Sequence, residues 1–422
     1  MTSCSQDGKG TLLVETAGGV HSPTPSGSSQ ADLYRPLRLP VLLVGDHRLG
    51  GISSSISAFE SLHIRGYDLN SVLLFEDEQY QNHEYLRDYF GERGISVLSL
   101  PPPPPQESSR ETDQARMADY YLEMSERKSV IDMATSLSTS HTSRLDRLDS
   151  MADKAHKHIW YPFTQHRGIT PDKLMTVDSA HGDFFQTVSP PTSETVLQPT
   201  LDGSASWWTQ GLGHGNPALS LAAANAAGRY GHVMFASAIH EPALALAELL
   251  LENLQNPRMQ RVFYSDNGST GIEVAIKMAL TAASVRYGYE DAQEVGVIGL
   301  KGSYHGDTIG AMDCSEPSTY NERVHWYRGR GHWFDFPQVK MKKGEWVVEP
   351  PEKGEGEFGP AMRFESLDEV FDMEARDGSP AAEQYRKHIL ETLDQLVRVE
   401  GKTFGALVME PIMLGAGGML LV

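Results

Sequence analysis

The chain has 422 residues, 40% of them hydrophobic and 22% charged, which leaves room for two or three domains with cores of ordinary size. Its 56 acidic residues outweigh 36 Lys and Arg, for a formal net charge of −20 with no basic block to offset it. This balance argues against nucleic acid or an anionic membrane surface as a partner. Cys4 and Cys314 are the only cysteines, too few for a disulfide framework or a thiolate metal site, and a reducing compartment is the expectation. No apolar run approaches the length of a membrane span; Ala218 to Ala227 and Leu244 to Leu251 read as core helix material. The first ten residues have neither an apolar signal core nor an Arg-rich amphipathic segment.

In chain order, Thr11 to Glu15 reads as a strand ending in a carboxylate and followed by Gly18 and Gly19. Pro40 to Gly45 is a second strand, which enters a helix through the Gly/Ser turn of Asp46 to Ser55. Ser71 to Phe75 and Ile95 to Leu100 supply two more strands, and strands alternating with helices predict a parallel sheet with its own core. Pro101 to Pro105 is a stiff polyproline joint that cannot pair in a sheet. Ala115 to Ala134 has helical periodicity, and Ser136 to Ser143 is rich in Ser and Thr; these segments either pack on the first sheet or bridge to the second half of the chain.

Beyond the joint, Phe184 to Val188 and Thr200 to Gly203 read as hairpin strands, and Ser206 to Gly215 as a loop carrying Trp207 and Trp208. Two adjacent indoles are more often core than ligand wall. Arg261 to Tyr264 reads as a short buried strand, then Ser265 to Ser269 is turn and cap chemistry before a helix with apolar Ile272, Ala275, Ile276, Ala279 and Ala283. Glu273 and Lys277 form an i,i+4 pair on its outer face. The first N–H groups of such a helix have no partner within it and its dipole end is positive. Asn267 to Thr270 therefore serve either as an ordinary cap or as an anion cup. Val295 to Leu300 is a strand running into Tyr304, His305, Gly306 and Asp307, and Phe404 to Glu410 is another ending on a carboxylate. Open α/β sheets bind ligands at such strand ends. Lys340 to Gly359 reads as a solvated insertion. Sixteen histidines show no HExxH or paired Cys/His spacing, so they read as solvated or structural.

Val262 to Ala275, Tyr304 to Thr308, Met409 to Ile412 and Gly415 to Met419 together resemble class III, fold-type I aminotransferases that use pyridoxal phosphate. His158 to His166, Ser206 to Trp208 and Gly231 to Phe235 narrow the resemblance to the 7,8-diaminopelargonic acid aminotransferases of biotin biosynthesis, from about His156 onward. Val14 to His21 and Leu43 to Ser53 resemble dethiobiotin synthetase, a P-loop-type ligase that uses ATP, CO2 and Mg2+, over roughly residues 10 to 100. The fold class implied is α/β: a partial P-loop-type parallel sheet followed by a partial fold-type I transferase. The implied domains are residues 1–100, a Pro-rich linker and bridging helix over 101–150, and the aminotransferase-like part over 151–422.

The resemblance implies small-molecule substrates, a homodimer, and transfer of an amino group to 7-keto-8-aminopelargonate, usually from S-adenosylmethionine, beside ATP- and Mg2+-dependent dethiobiotin synthesis. It carries over Gly268 and Ser269 as the phosphate cup, Tyr304 as the aromatic stacked on the cofactor ring, Glu410 near the cofactor's polar edge, and Trp207 and Asp307 as the lining of the substrate site. It makes Glu15 a magnesium ligand and sets Gly18 and Gly19 close to the reacting phosphate. Phe163 stands where family enzymes often have Tyr. No catalytic residue is assigned, because the sequence ends at Val422, before the expected lysine and its companion Asp, and begins after the expected GxxxxGK[ST] loop. An internal piece of a bifunctional enzyme, mitochondrial or cytoplasmic, is the expectation; a non-catalytic partner of an intact copy is the alternative.

Overall fold

In a computed structural model of the protein the described residues are 13–162, 164–188, 197–233, 235–289, 294–351, 358–415 and 418–421. The chain divides into two compact units, Met1–Ala238 and Ile239–Val422.

In the first unit the apolar runs form β1 (Val41–Val44), β2 (Leu69–Phe75) and β3 (Ser96–Leu100), a parallel sheet in the order β1-β2-β3. Packed with it are α1 (Gln30–Leu33), α2 (Gly51–Ile64) and α3 (Asn82–Gly91). Leu43, Leu62, Val72, Leu74, Leu86 and Phe90 close the core between them, each contributing about 1.5–3 kcal/mol by leaving water. Gly51 is required where α2 begins, since a Cβ there would lie 1.9 Å from the Asp46 carbonyl oxygen. The expected strand over 11–15 is not formed: residues 13–16 pair with no strand, and Thr11 and Leu12 lie outside the described residues.

The segment after the prolines is largely helical, as α4 (Arg110–Glu126), α5 (Lys128–Asp149) and α6 (Met151–His158). It packs on the first sheet: Met124 is buried with Leu98 and Leu100, the Tyr120 hydroxyl donates to the Pro101 carbonyl, and Asn70 donates to Ser140. The antiparallel sheet β4 (Val177–His181), β5 (Phe184–Val188) and β6 (Leu197–Leu201) comes after it. Asp178 of β4 takes ion pairs from both Arg38 and Arg144. Next come the single turn α7 (Ala205–Trp208) and α8 (Pro217–Tyr230).

The second unit opens with α9 (Glu241–Leu254) and α10 (Gly268–Tyr287). A parallel sheet of β12 (Thr403–Leu407), β7 (Val295–Leu300) and β8 (Gly331–Phe334) carries α11 (Ile309–Asp313) after β7. Gly405 lets α10 settle on this sheet, because a Cβ there would meet Leu280 at 2.8 Å. A five-stranded antiparallel sheet has the order β11 (Met362–Phe364), β10 (Glu345–Glu349), β9 (Gln338–Lys342), β14 (Met419–Leu421), β13 (Met413–Leu414). Helices α12 (Leu367–Val370), α13 (Met373–Asp377) and α14 (Pro380–Asp394) complete the unit.

Three further expectations fail. Arg261 to Tyr264 pairs with no strand among the described residues, and Phe263 is exposed; an apolar run alone does not supply a ladder partner. Lys340 to Gly359 is no simple solvated insertion, since Val347 and Val348 of β10 are buried; residues 352–357 lie outside the described set. Helices α8 and α9 are not core: Leu219, Leu221, Leu244, Leu249 and Leu254 are all exposed, because no described element covers them.

Candidate functional site

Helix α10 starts where Asn267 takes an extended conformation and its side-chain oxygen accepts the Thr270 N–H at 3.0 Å. The N–H groups of Gly268 and Ser269 have no acceptor among the described residues, and the space beside Gly268 is open. The helix therefore presents free donors and its positive dipole end together.

Three segments meet at this point. The Ser269 hydroxyl oxygen accepts the Asp307 N–H at 3.1 Å, and Asp307 accepts the Tyr304 hydroxyl at 2.9 Å. The Tyr304 N–H donates to Glu410 at 2.9 Å, while the other Glu410 oxygen accepts the Gly415 N–H at 2.6 Å. Ser269, Asp307, Tyr304 and Glu410 thus form one relay across the ends of β7 and β12 and the start of α10. Gly306 makes the approach possible: at φ +137 its missing Cβ would sit 2.6 Å from the Ser269 Oγ. Burial first, then the Asp307 carboxylate, pushes the Tyr304 pKa up to about 12, which keeps the phenol a neutral donor.

Glu273 is misread from sequence as an outward partner of Lys277. That pair exists at 3.4 Å, but the carboxylate faces inward, accepting the Thr308 hydroxyl at 2.7 Å and the Ala311 N–H at 3.0 Å. The Thr308 hydrogen bond, and then Ala311 and Lys277, hold its pKa below 4.5 against the opposing effect of burial. Glu273 thereby caps α11 and fastens the Tyr304 loop to α10. His305 within that loop is buried, and burial pushes its pKa down. Its Nε2 and the Ser303 hydroxyl have no partner among the described residues. Open helix N–H donors beside a half-exposed aromatic side chain fit a phosphorylated aromatic ligand such as pyridoxal phosphate.

Trp207 belongs to the first unit, in the turn α7, and Asp307 to the second. All four residues of α7 have positive φ, from 46° at Ala205 to 63° at Trp208, so the turn is left-handed. For residues other than glycine that conformation costs about 1–2 kcal/mol each, and surrounding groups must hold it. At the start of the turn Asp202 accepts the Ser206 and Ser204 hydroxyls. Sequence reading missed Asp202 and His214, although they bracket the Trp-Trp loop.

On the synthetase-like side, Glu15, Gly18 and Gly19 are exposed on a short loop. Gly18 has φ +95, and a Cβ on it would meet the Ser22 hydroxyl at 2.5 Å. Among the described residues no three His, Cys, Asp or Glu side chains converge as a metal-binding group. No described helix is long and apolar enough to cross a membrane. Phe163 and Gly417 lie outside the described residues.

The class-III aminotransferase family model matches residues 198–349, and an AAA domain model matches residues 3–109. The chain is 59% identical to the bifunctional dethiobiotin synthetase/adenosylmethionine-8-amino-7-oxononanoate aminotransferase of Emericella nidulans, over 100% of this chain and 54% of that protein. It is 41% identical to the bifunctional dethiobiotin synthetase/7,8-diamino-pelargonic acid aminotransferase, mitochondrial, of Arabidopsis thaliana, over 97% and 49%. A solved omega transaminase from Pseudomonas jessenii is similar at a TM-score of 0.48 and 19% identity, over 64% of this chain and 51% of that one. The chain spans about half the length of the curated relatives it matches. The two family models match successive parts of the chain, and its similarity to these bifunctional dethiobiotin synthetase/aminotransferases runs along its whole length.

Proposed function

We propose that this chain contributes the cofactor-phosphate cup and part of the acceptor site of a pyridoxal phosphate-dependent aminotransferase that converts 7-keto-8-aminopelargonate to 7,8-diaminopelargonate, with S-adenosylmethionine as donor. The observation that carries the reading is the relay from Ser269 through Asp307 and Tyr304 to Glu410 beside the open start of α10. Gly268 and Ser269 would hold the phosphate through backbone N–H groups and the Ser269 hydroxyl, helped by the helix dipole. Tyr304 would lie against the cofactor ring, its phenol fixed by Asp307. Glu410 holds the Tyr304 backbone, and so orients that ring, rather than having a free carboxylate of its own. Bound pyridoxal phosphate would supply the electron sink that transamination needs. Trp207 would give the acceptor's aliphatic chain an apolar wall.

The parallel sheet β1-β2-β3 and the AAA match support ATP as co-substrate of the fused dethiobiotin synthesis, and residues 1–100, 101–150 and 151–422 remain the functional division we infer. Glu15 would be the protein's contribution to Mg2+, with phosphate oxygens and water completing the shell. The exposed leucines of α9 support a homodimer. The mitochondrial naming of the plant relative supports that compartment.

The test is an assay of the full-length protein with pyridoxal phosphate, S-adenosylmethionine and 7-keto-8-aminopelargonate, the product followed by mass spectrometry. Formation of 7,8-diaminopelargonate that falls with Gly306→Ala is expected. Cofactor-loaded protein that makes none would overturn the reading.

A further inference from the structure

The loop from Asp202 to His214 is closed at its base by backbone bonds: the Asp202 N–H donates to Asp183 at 2.9 Å, and Gly182 and His214 exchange N–H···O bonds of 3.0 and 2.8 Å. Side chains close it a second time. The His214 ring lies 4.8 Å from that of Phe185, and its Nε2 is 2.8 Å from Asp202 Oδ2. A carboxylate only accepts, so Nε2 carries the proton. The same Oδ2 accepts the Ser206 hydroxyl at 2.8 Å, and Oδ1 accepts that of Ser204 at 3.1 Å. Both side chains of the pair are nearly out of solvent, at 5% for Asp202 and 11% for His214.

Serine, histidine and aspartate in one cluster raise the question of a hydrolytic triad. The geometry is wrong for one: Ser206 and His214 both point at the same carboxylate oxygen, so the histidine cannot take the serine's proton. What the carboxylate contacts instead is the start of the left-handed turn, whose next two residues are Trp207 and Trp208. Three donors on two oxygens require a full carboxylate; an amide would turn its own N–H groups toward some of them.

We infer that Asp202, braced by His214, is a positioning residue that holds the Trp207–Trp208 turn in its left-handed form and thereby sets the shape of the apolar wall met by the acceptor's chain. The inference rests on the proposed reading of Trp207 as that wall, and it makes acceptor affinity depend on a carboxylate that never touches the acceptor.

The experiment compares Trp207→Ala, Asp202→Asn and the double variant in full-length protein, measuring KM for 7-keto-8-aminopelargonate, kcat, and near-ultraviolet circular dichroism of the indoles. Trp207→Ala is expected to raise the acceptor KM by about ten-fold with kcat little changed. Asp202→Asn is expected to raise it by on the order of ten- to a hundred-fold, through misplacement of the wall. It should also remove the dichroism that Trp207→Ala removes, and the double variant should be no worse than the poorer single one. Should Asp202→Asn fold poorly, Ser206→Ala removes one of the three donors and should give a smaller change of the same kind. An unchanged KM in Trp207→Ala would sink the substrate reading and this inference with it. A raised KM in Trp207→Ala beside an unchanged KM and dichroism in Asp202→Asn would overturn this inference alone.

Discussion

The start of α10 and the Glu15–Gly19 loop are both glycine-bearing motifs expected to face a phosphate, and they fold very differently. Around α10, Ser269, Glu273, Tyr304, Asp307 and Glu410 are tied together across three segments far apart in sequence. Around Glu15 the hydrogen bonds are mostly short-range: Gly18 N–H to Thr16 and Ser22 N–H to Gly19, with Gln30 reaching back to Ala17. The first arrangement fixes side chains relative to a set of donors before any ligand arrives. The second fixes a backbone turn and leaves the carboxylate in water. A motif becomes a pre-organised site only where tertiary partners brace it.

The largest way to break that contrast is Gly306→Ala. The new Cβ meets Ser269 backbone and side chain below 3 Å at a φ that L residues rarely adopt, so the loop and α10 must part. A loss of about 1–3 kcal/mol in unfolding free energy is expected from the strain, read by denaturant titration. Glu273→Ala should come next at about 2 kcal/mol, the worth of hydrogen bonds to a charged group. The sign of its pH dependence is set by the lowered pKa: the stabilisation is complete above the ordinary value of 4.5 and is lost as pH falls through the depressed one. Thermal scans of wild type and Glu273→Gln down an acid series should therefore converge at the acid end; a difference that persists there would refute the assignment.

On the weakly braced side the effects should shrink. Gly18→Ala is expected to cost about 1 kcal/mol, for its positive φ, because the Ser22 hydroxyl can swing away. Glu15→Gln should alter stability by less than about 0.5 kcal/mol, as for exposed groups in general. A Glu15→Gln loss as large as that of Glu273→Ala, by the same denaturant titration, would erase the distinction between the two regions.

Much of this was legible in the residues. The apolar runs that became β1, β2 and β3 announced a parallel sheet, those of β7 and β12 announced strands, and Asn267 through Thr270 announced a helix start. Other features depend on what lies across space. Glu273 and Lys277 have the spacing of an ordinary solvent pair, and nothing local says that Thr308 will claim the carboxylate. The left-handed turn at Trp207 depends on an Asp–His contact twelve residues apart. Arg261 to Tyr264 is apolar enough for a strand, and the α9 leucines for a core, but pairing and covering are properties of a neighbour, not of the run itself.

The most direct test of the central claim is equilibrium binding of pyridoxal phosphate, pyridoxal and inorganic phosphate to this chain, wild type beside Gly306→Ala. A cup that holds the phosphate while Tyr304 receives the ring predicts that pyridoxal phosphate binds far more tightly than either part, and that Gly306→Ala weakens it by about 10- to 100-fold. Equal affinity for pyridoxal phosphate and plain phosphate, or indifference to Gly306→Ala, would contradict the account.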